Sequence, residues 1–196
     1  MNFINKTIFI FVVMIFSTYS IAAQVNVNQD FIDDVNKLSI NRITSKPYLG
    51  YVKNTAYNFR ILDKYGFVDS KNNGRISLSY NATYNGQCAS LIQTTSNAGS
   101  VSGWKKGPNV SPLTPKFTPL ATFYGDGNSG QNTEYDNDSE NSHVVYFISY
   151  TNEGILVLDQ NHKGTGLNPI GELAIRIIPF SGNHQFNADN YYVITK

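Results

Sequence analysis

The sequence predicts an α+β fold built on an antiparallel sheet, and three observations predict it. Apolar residues at helical spacing occur early, at Phe31, Ile32, Val35 and Leu38 and again at Cys88, Leu91 and Ile92. Short apolar runs of strand length follow them: "LATFY", "HVVYFISY", "ILVLDQN", "ELAIRIIPF" and "YYVITK". Helices and strands do not alternate, so the crossover helices that parallel strands require are missing.

Residues 1–23 read as a signal peptide. Lys6 precedes the apolar run Ile8–Phe16, and Ser20, Ala22 and Ala23 offer cleavage after Ala22 or Ala23. The run is shorter than the roughly 20 residues of a membrane span, so export without a membrane anchor is expected, to the periplasm or beyond the cell. Removing 1–23 takes away Lys6 and no acid, which leaves 14 basic and 14 acidic residues. That balance, with Lys and Arg scattered, gives no basic stripe for nucleic acid. Residues 24–196 suit one domain with its own core, in which 24–82 is a segment of unassigned role and 83–196 carries the chemistry.

Taken in order, "NQDFIDDVNKLS" predicts a short amphipathic helix capped by Asn28, with Asp30 in its first turn. From Ser45 to Tyr84 the chain is turn-rich and reads as loops, with "RISLSY" alternating as a short strand. A helix starting near Gln87 follows, ended by "SNAGSVSGW". The proline-rich "GPNVSPLTPKFTP" reads as a loop leading to a buried strand over Leu120–Tyr124. Gly125–Ser142 is polar and reads as a surface loop. His143–Tyr150 and Ile155–Asn161 form a hairpin, and Glu172–Phe180 and Tyr191–Lys196 supply two more strands.

Cys88 is the one cysteine in the chain, so an intrachain disulfide is excluded and three readings stay open: an intermolecular bridge, an inert buried thiol, or a reactive one. Its place at a helix start favours thiolate over thiol, because unpaired N–H groups and the positive dipole end lie there. A cysteine nucleophile needs a base and a group to orient that base. His162 and His184 lie in polar loops that suit solvated imidazoles, whereas His143 opens an apolar strand at the rim of the sheet. With Asn152, Glu153 and a left-handed Gly154 as a three-residue turn, Asp159 faces Phe147 and Asn161 faces Val145. His143, Asp159 and Asn161 then share one face, with Asn161 the nearer to His143; a one-residue slip would substitute Gln160. Trp104 is a candidate wall of a substrate groove, or else caps the core edge. One cysteine and three dispersed histidines give no paired ligand spacing, so neither a metal nor another cofactor is expected.

The order "GQC" before a helix, "SHVVYF" opening a strand and "ILVLDQN" on the next strand resembles the CHAP family of cysteine, histidine-dependent amidohydrolases and peptidases, in the papain-like superfamily. It is most similar to small exported or effector-like members that act on bacterial cell walls. The resemblance runs from about Tyr84 to Lys196 and takes in "SGWKKGPNV" and "PLATFYGDG". It implies a papain-like fold with Cys88 as nucleophile, His143 as base and Asp159 as orienting acid. Asn161 corresponds to an asparagine that often follows, and Gln87 to a residue that can support the oxyanion beside the Cys88 N–H. The "TPL" before "ATFY" departs from the glycine-led turn of relatives. The implied function is hydrolysis of an amide bond in peptidoglycan or its peptide fragments, with a protein inhibitor or immunity protein as a further partner. Two alternatives share the scaffold: a noncatalytic exported binding or inhibitor protein, and a cysteine-dependent deamidase or transglutaminase acting on a protein.

Overall fold

The computed structural model describes residues 23–41, 48–70, 74–81, 86–125, 128–129, 133–136, 142–161 and 171–196. The signal segment before Ala23 and His162 therefore lie outside the described residues. In chain order the elements are α1 (Gln29–Lys37), β1 (Ile40–Asn41), β2 (Tyr48–Val52), α2 (Ala56–Leu62), β3 (Phe67–Ser70), β4 (Arg75–Leu78) and α3 (Cys88–Thr95). They continue with β5 (Lys105–Asn109), β6 (Pro119–Thr122), β7 (Tyr124–Gly125), β8 (Asn128–Ser129), β9 (Val144–Tyr150), β10 (Gly154–Gln160), β11 (Leu173–Pro179) and β12 (Tyr191–Thr195). Eight strands make one sheet in the order β1-β2-β11-β10-β9-β6-β12-β5, and every neighbouring pair runs antiparallel. The α+β class expected from the sequence is the class observed.

Both faces of the sheet centre are buried, which explains why β9 and β10 read as continuous apolar runs rather than alternating ones. On one face Val144, Tyr146, Leu158 and Leu173 join Leu91 and Ile92 of α3 and Phe31 of α1 in the larger core. On the other, Leu120, Val145, Phe147, Val157, Ile178 and Tyr191 pack with Ala188. Helix α1 forms as its spacing predicts: the Asn28 side chain accepts from the Asp30 N–H at 2.9 Å, and Phe31 and Val35 point inward.

Several readings change. "KPYLGY" is not merely a turn, because its last residues form β2 and pair with β11. Helix α2 was hidden because it buries only Asn58 and Leu62; the Thr55 hydroxyl caps it by accepting from the Asn58 N–H at 3.1 Å. The "GPN" of the expected loop belongs to β5, an edge strand where Pro108 forfeits no interior ladder bond. Gly107 is required there, since a Cβ would lie 2.6 Å from the Val193 carbonyl oxygen. The strand expected over Leu120–Tyr124 is split at Phe123 into the end of β6 and the start of β7. Within the polar segment read as surface loop, Tyr135 is buried, its ring 5.2 Å from that of Trp104.

Candidate active site

The start of β9, the end of β10 and helix α3 come together around Cys88. The nucleophile candidate is the first residue of α3 and is half-buried, with Gln87 in extended conformation as the N-cap. The Gln87 side chain makes no capping hydrogen bond to the first-turn N–H groups of α3. Gln160, fully buried at the end of β10, fixes the approach to the helix. Its Oε1 accepts from the Leu78 N–H at 2.6 Å, and its Nε2 donates to Leu78 O, to the Gln87 carbonyl at 2.8 Å and to the Ser90 hydroxyl. Both ends of the Gln160 amide are thereby committed to β4 and to the backbone just before Cys88, away from the imidazole.

His143 precedes β9 and is 2% exposed. Its backbone is tied at both ends to Thr122 of β6: the His143 N–H donates to Thr122 Oγ1 at 2.9 Å and the Thr122 N–H to the His143 carbonyl at 3.0 Å. Its ring Nε2 lies 2.6 Å from Oδ1 of Asp159, and Cys88 is close enough to act on the ring electrostatically. With Nε2 turned to the carboxylate, Nδ1 is the nitrogen left for the thiol. Burial alone would favour the neutral ring; the charges of Asp159 and Cys88 and the hydrogen bond to Asp159 outweigh it and push the His143 pKa up to about 9.

The hairpin reaches this geometry by a route different from the one expected. Thr151 and Gly154 close a tighter turn, the Thr151 N–H donating to the Gly154 carbonyl at 2.8 Å. Gly154 has φ 159°, near extended rather than left-handed, and a Cβ there would sit 1.9 Å from the Ile178 carbonyl oxygen. That turn alone would shift the register by one and bring Gln160 to the histidine's face. A β-bulge between the pairs Leu156↔Ser149 and Val157↔Phe147 shifts it by one more. Asp159 therefore faces Val145, not Phe147, and is the diagonal neighbour of His143. Two one-residue shifts preserve the face and bring Asp159 to the place expected of Asn161, which lies beyond the last β10–β9 pair.

Asn161 lies just past β10 with φ 61°, and its Nδ2 donates to Oε1 of Gln87 at 3.4 Å. Gly171 makes room for it, since a Cβ at that glycine would meet the Asn161 Cα at 2.1 Å. Trp104 is fully buried, its Nε1 donates to the Ala98 carbonyl at 3.1 Å, and its ring packs on Tyr135. The core-edge alternative for Trp104 is the one its burial matches. His184 opens the short turn His184–Phe186 after β11. Among the described residues, no group of three or more His, Cys, Asp or Glu side chains is placed to hold a metal ion.

One residue at the site escaped the sequence reading. Arg176 of β11 is 1% exposed and donates from Nε to Asp159 Oδ2 at 2.5 Å, on the side of the carboxylate opposite His143. A signal for it was present, since an arginine inside "LAIRIIP" is a charge in an otherwise apolar strand.

With this geometry in hand, residues 63–194 match the family model described as "Domesticated amidase effector 2" (Dae2). The chain belongs to the domesticated amidase effector 2 family. The family match begins after α2, so α1, β1, β2 and α2 precede it, whereas Cys88, His143, Asp159 and Arg176 fall inside it. The solved structure of the type 6 secretion amidase effector 2 (Tae2) is similar at 26% identity, over 56% of this chain and 80% of that one, with a TM-score of 0.46. No curated protein matches. The effector-like group expected from the sequence thus agrees with an amidase effector family.

Proposed function

We propose that this amidase effector family member is an exported cysteine amidase that cleaves an amide bond of bacterial peptidoglycan by Cys-His-Asp acyl transfer of the CHAP type. The observation that carries the reading is the placement of His143, buried, hydrogen-bonded to Asp159 and close to Cys88 at the start of the helix that bears the thiol. An imidazole with its pKa pushed up to about 9 is protonated at neutral pH and matches a thiolate as an ion pair.

In the reaction, the Cys88 sulfur attacks the amide carbonyl and the carbonyl oxygen takes the negative charge. Backbone N–H groups in the first turn of α3, together with the Gln87 amide held by Asn161, are the donors available to that oxyanion. His143 then gives its proton to the departing amine, the C–N bond breaks, and a thioester on Cys88 remains. Water, deprotonated by the now neutral His143, attacks the thioester, releases the carboxylate and restores the thiolate-imidazolium pair. Asp159 keeps the imidazole oriented throughout.

Export, the expectation from residues 1–23, would bring the enzyme to cell-wall substrate, and a protein inhibitor is the partner expected of a wall-degrading effector. Digestion of purified peptidoglycan by residues 24–196, followed by mass spectrometry, tests the reading. Fragments carrying a newly exposed amine and carboxylate are expected from the native sequence, with at least a ~1,000-fold loss in Cys88→Ala. Fragment release that survives Cys88→Ala, or none from a folded native chain, would overturn it.

A further inference from the structure

We propose that Arg176 is a positioning residue of this site, whose guanidinium clamps the Asp159 carboxylate so that Oδ1 stays on the His143 ring. The inference rests on the Cys-His-Asp reading and extends it by one strand. Its basis is geometric. The two oxygens of Asp159 are divided between two partners, Oδ1 to His143 Nε2 at 2.6 Å and Oδ2 to Arg176 Nε at 2.5 Å, and all three side chains are at most 2% exposed. A carboxylate with one partner can rotate about its terminal torsion; one held on both oxygens cannot without breaking a charge-assisted bond.

The surroundings argue that Arg176 serves Asp159 rather than the stability of the sheet. Its position on β11 faces Val157 and its face belongs to the second apolar core, where an aliphatic residue would pack without desolvating a charge. Its Nη2 is buried with no hydrogen-bond partner among the described residues, a cost that sheet packing alone does not explain. Tyr191 of β12 lies near enough to the guanidinium to feel its charge, and its own O–H donates to the Gln185 carbonyl at 2.9 Å. The line from thiol to sheet therefore runs Cys88, His143, Asp159, Arg176, Tyr191, with one member each from α3, the residue before β9, β10, β11 and β12.

The test is the pH dependence of Cys88 alkylation by iodoacetamide, which needs no peptidoglycan, in the native sequence, Arg176→Met, Arg176→Lys, Asp159→Asn and the double variants of Asp159→Asn with each. In a folded Arg176→Met, alkylation at neutral pH should slow about tenfold, with its acid limb displaced to higher pH, and Arg176→Lys should recover part of the loss. Because the residue acts through Asp159, neither substitution at 176 should add a further loss in the Asp159→Asn background. Should Arg176→Met leave Asp159 uncompensated and fail to fold, Arg176→Lys and the charge-balanced double variant decide by the same criteria. A native pH profile in a folded Arg176 variant, or losses that multiply in the double variants, would overturn the proposal. A reactive Cys88 that cuts no peptidoglycan would count against the substrate reading alone, and a flat profile in the native sequence would overturn both.

Discussion

His143 is held in the charged form although it is 2% exposed, and this links folding to pH. Its pKa of about 9 in the folded chain exceeds the ordinary 6.5, so the folded chain binds the proton more tightly than the unfolded one. The stabilisation is complete below about pH 6.5 and is lost as pH rises through about 9. Urea unfolding midpoints of Cys88→Ala, in which no thiolate offsets the proton held by His143, should fall across that window, and adding His143→Gln should remove the decline. Stability that is level or rising from pH 6.5 to 9 would sink this account. The same residue shows what was legible at this scale. Cys88 at a helix start and His143 at a strand rim were readable in local pattern, whereas Asp159 was singled out over Asn161 by the family resemblance. The work of Gln160 and Arg176 was not legible, because each acts on groups far off in sequence: Gln160 on Leu78 and Gln87, Arg176 on Asp159 and Tyr191.

Among the elements, the hairpin shows why face is easier to read than register. Alternation fixes which side a residue takes, and this survives any even shift; turn type and bulge fix the partner, and neither the Thr151–Gly154 turn nor the bulge in β9 has a distinct sequence mark. Apolar runs located β9, β10, β11 and β12 to within a residue or two, whereas α2, with only Asn58 and Leu62 buried, offered no stripe to read. Helix α1 is placed by more than its apolar stripe. Asp34 accepts from the Tyr65 hydroxyl at 3.0 Å and pairs with Lys64 Nζ at 2.8 Å, fastening α1 to the short turn Asp63–Tyr65 that follows α2. Burial would raise the Asp34 pKa, but Lys64, Tyr65 and Lys37 overcome it and hold the carboxyl below its usual range. A depressed carboxyl stabilises the fold above its unfolded pKa and loses that effect as pH falls through the folded value. Asp34→Asn should therefore cost about 1–2 kcal/mol at pH 7, reduced from a fully buried pair because Lys64 is half exposed, and the cost should shrink in acid. Equal thermal midpoints for the two proteins at pH 7 would show that α1 is held by Phe31 and Val35 alone.

At the scale of the molecule, the segment ahead of the family match is part of the same core as the site. Beyond α1, the part played by residues 24–62 was not legible because their partners are remote: β2 pairs with β11 more than 120 residues later, Gln24 bridges Thr195, and no local pattern encodes such pairings. Phe31 shows the consequence. It is fully buried, its ring 5.4 Å from Tyr65 and 5.6 Å from Tyr146, and Tyr146 lies on β9 three residues from His143. Removing the segment would uncover these rings and strip β2 from β11, leaving the strand that carries Arg176 as an open edge with unpaired backbone groups. A chain of residues 63–196 alone should accordingly aggregate or unfold at ambient temperature. Phe31→Ala in the full chain isolates the packing part and should cost about 3–5 kcal/mol without touching a catalytic group. Thermal unfolding of both proteins, beside Cys88 alkylation at a temperature where each is folded, separates scaffold from chemistry. Loss of stability with native thiol reactivity in folded Phe31→Ala is the expected result. A soluble, cooperatively unfolding 63–196 chain with a reactive Cys88 would instead mean that the family core is self-sufficient and that α1, β1, β2 and α2 are an addition laid over it.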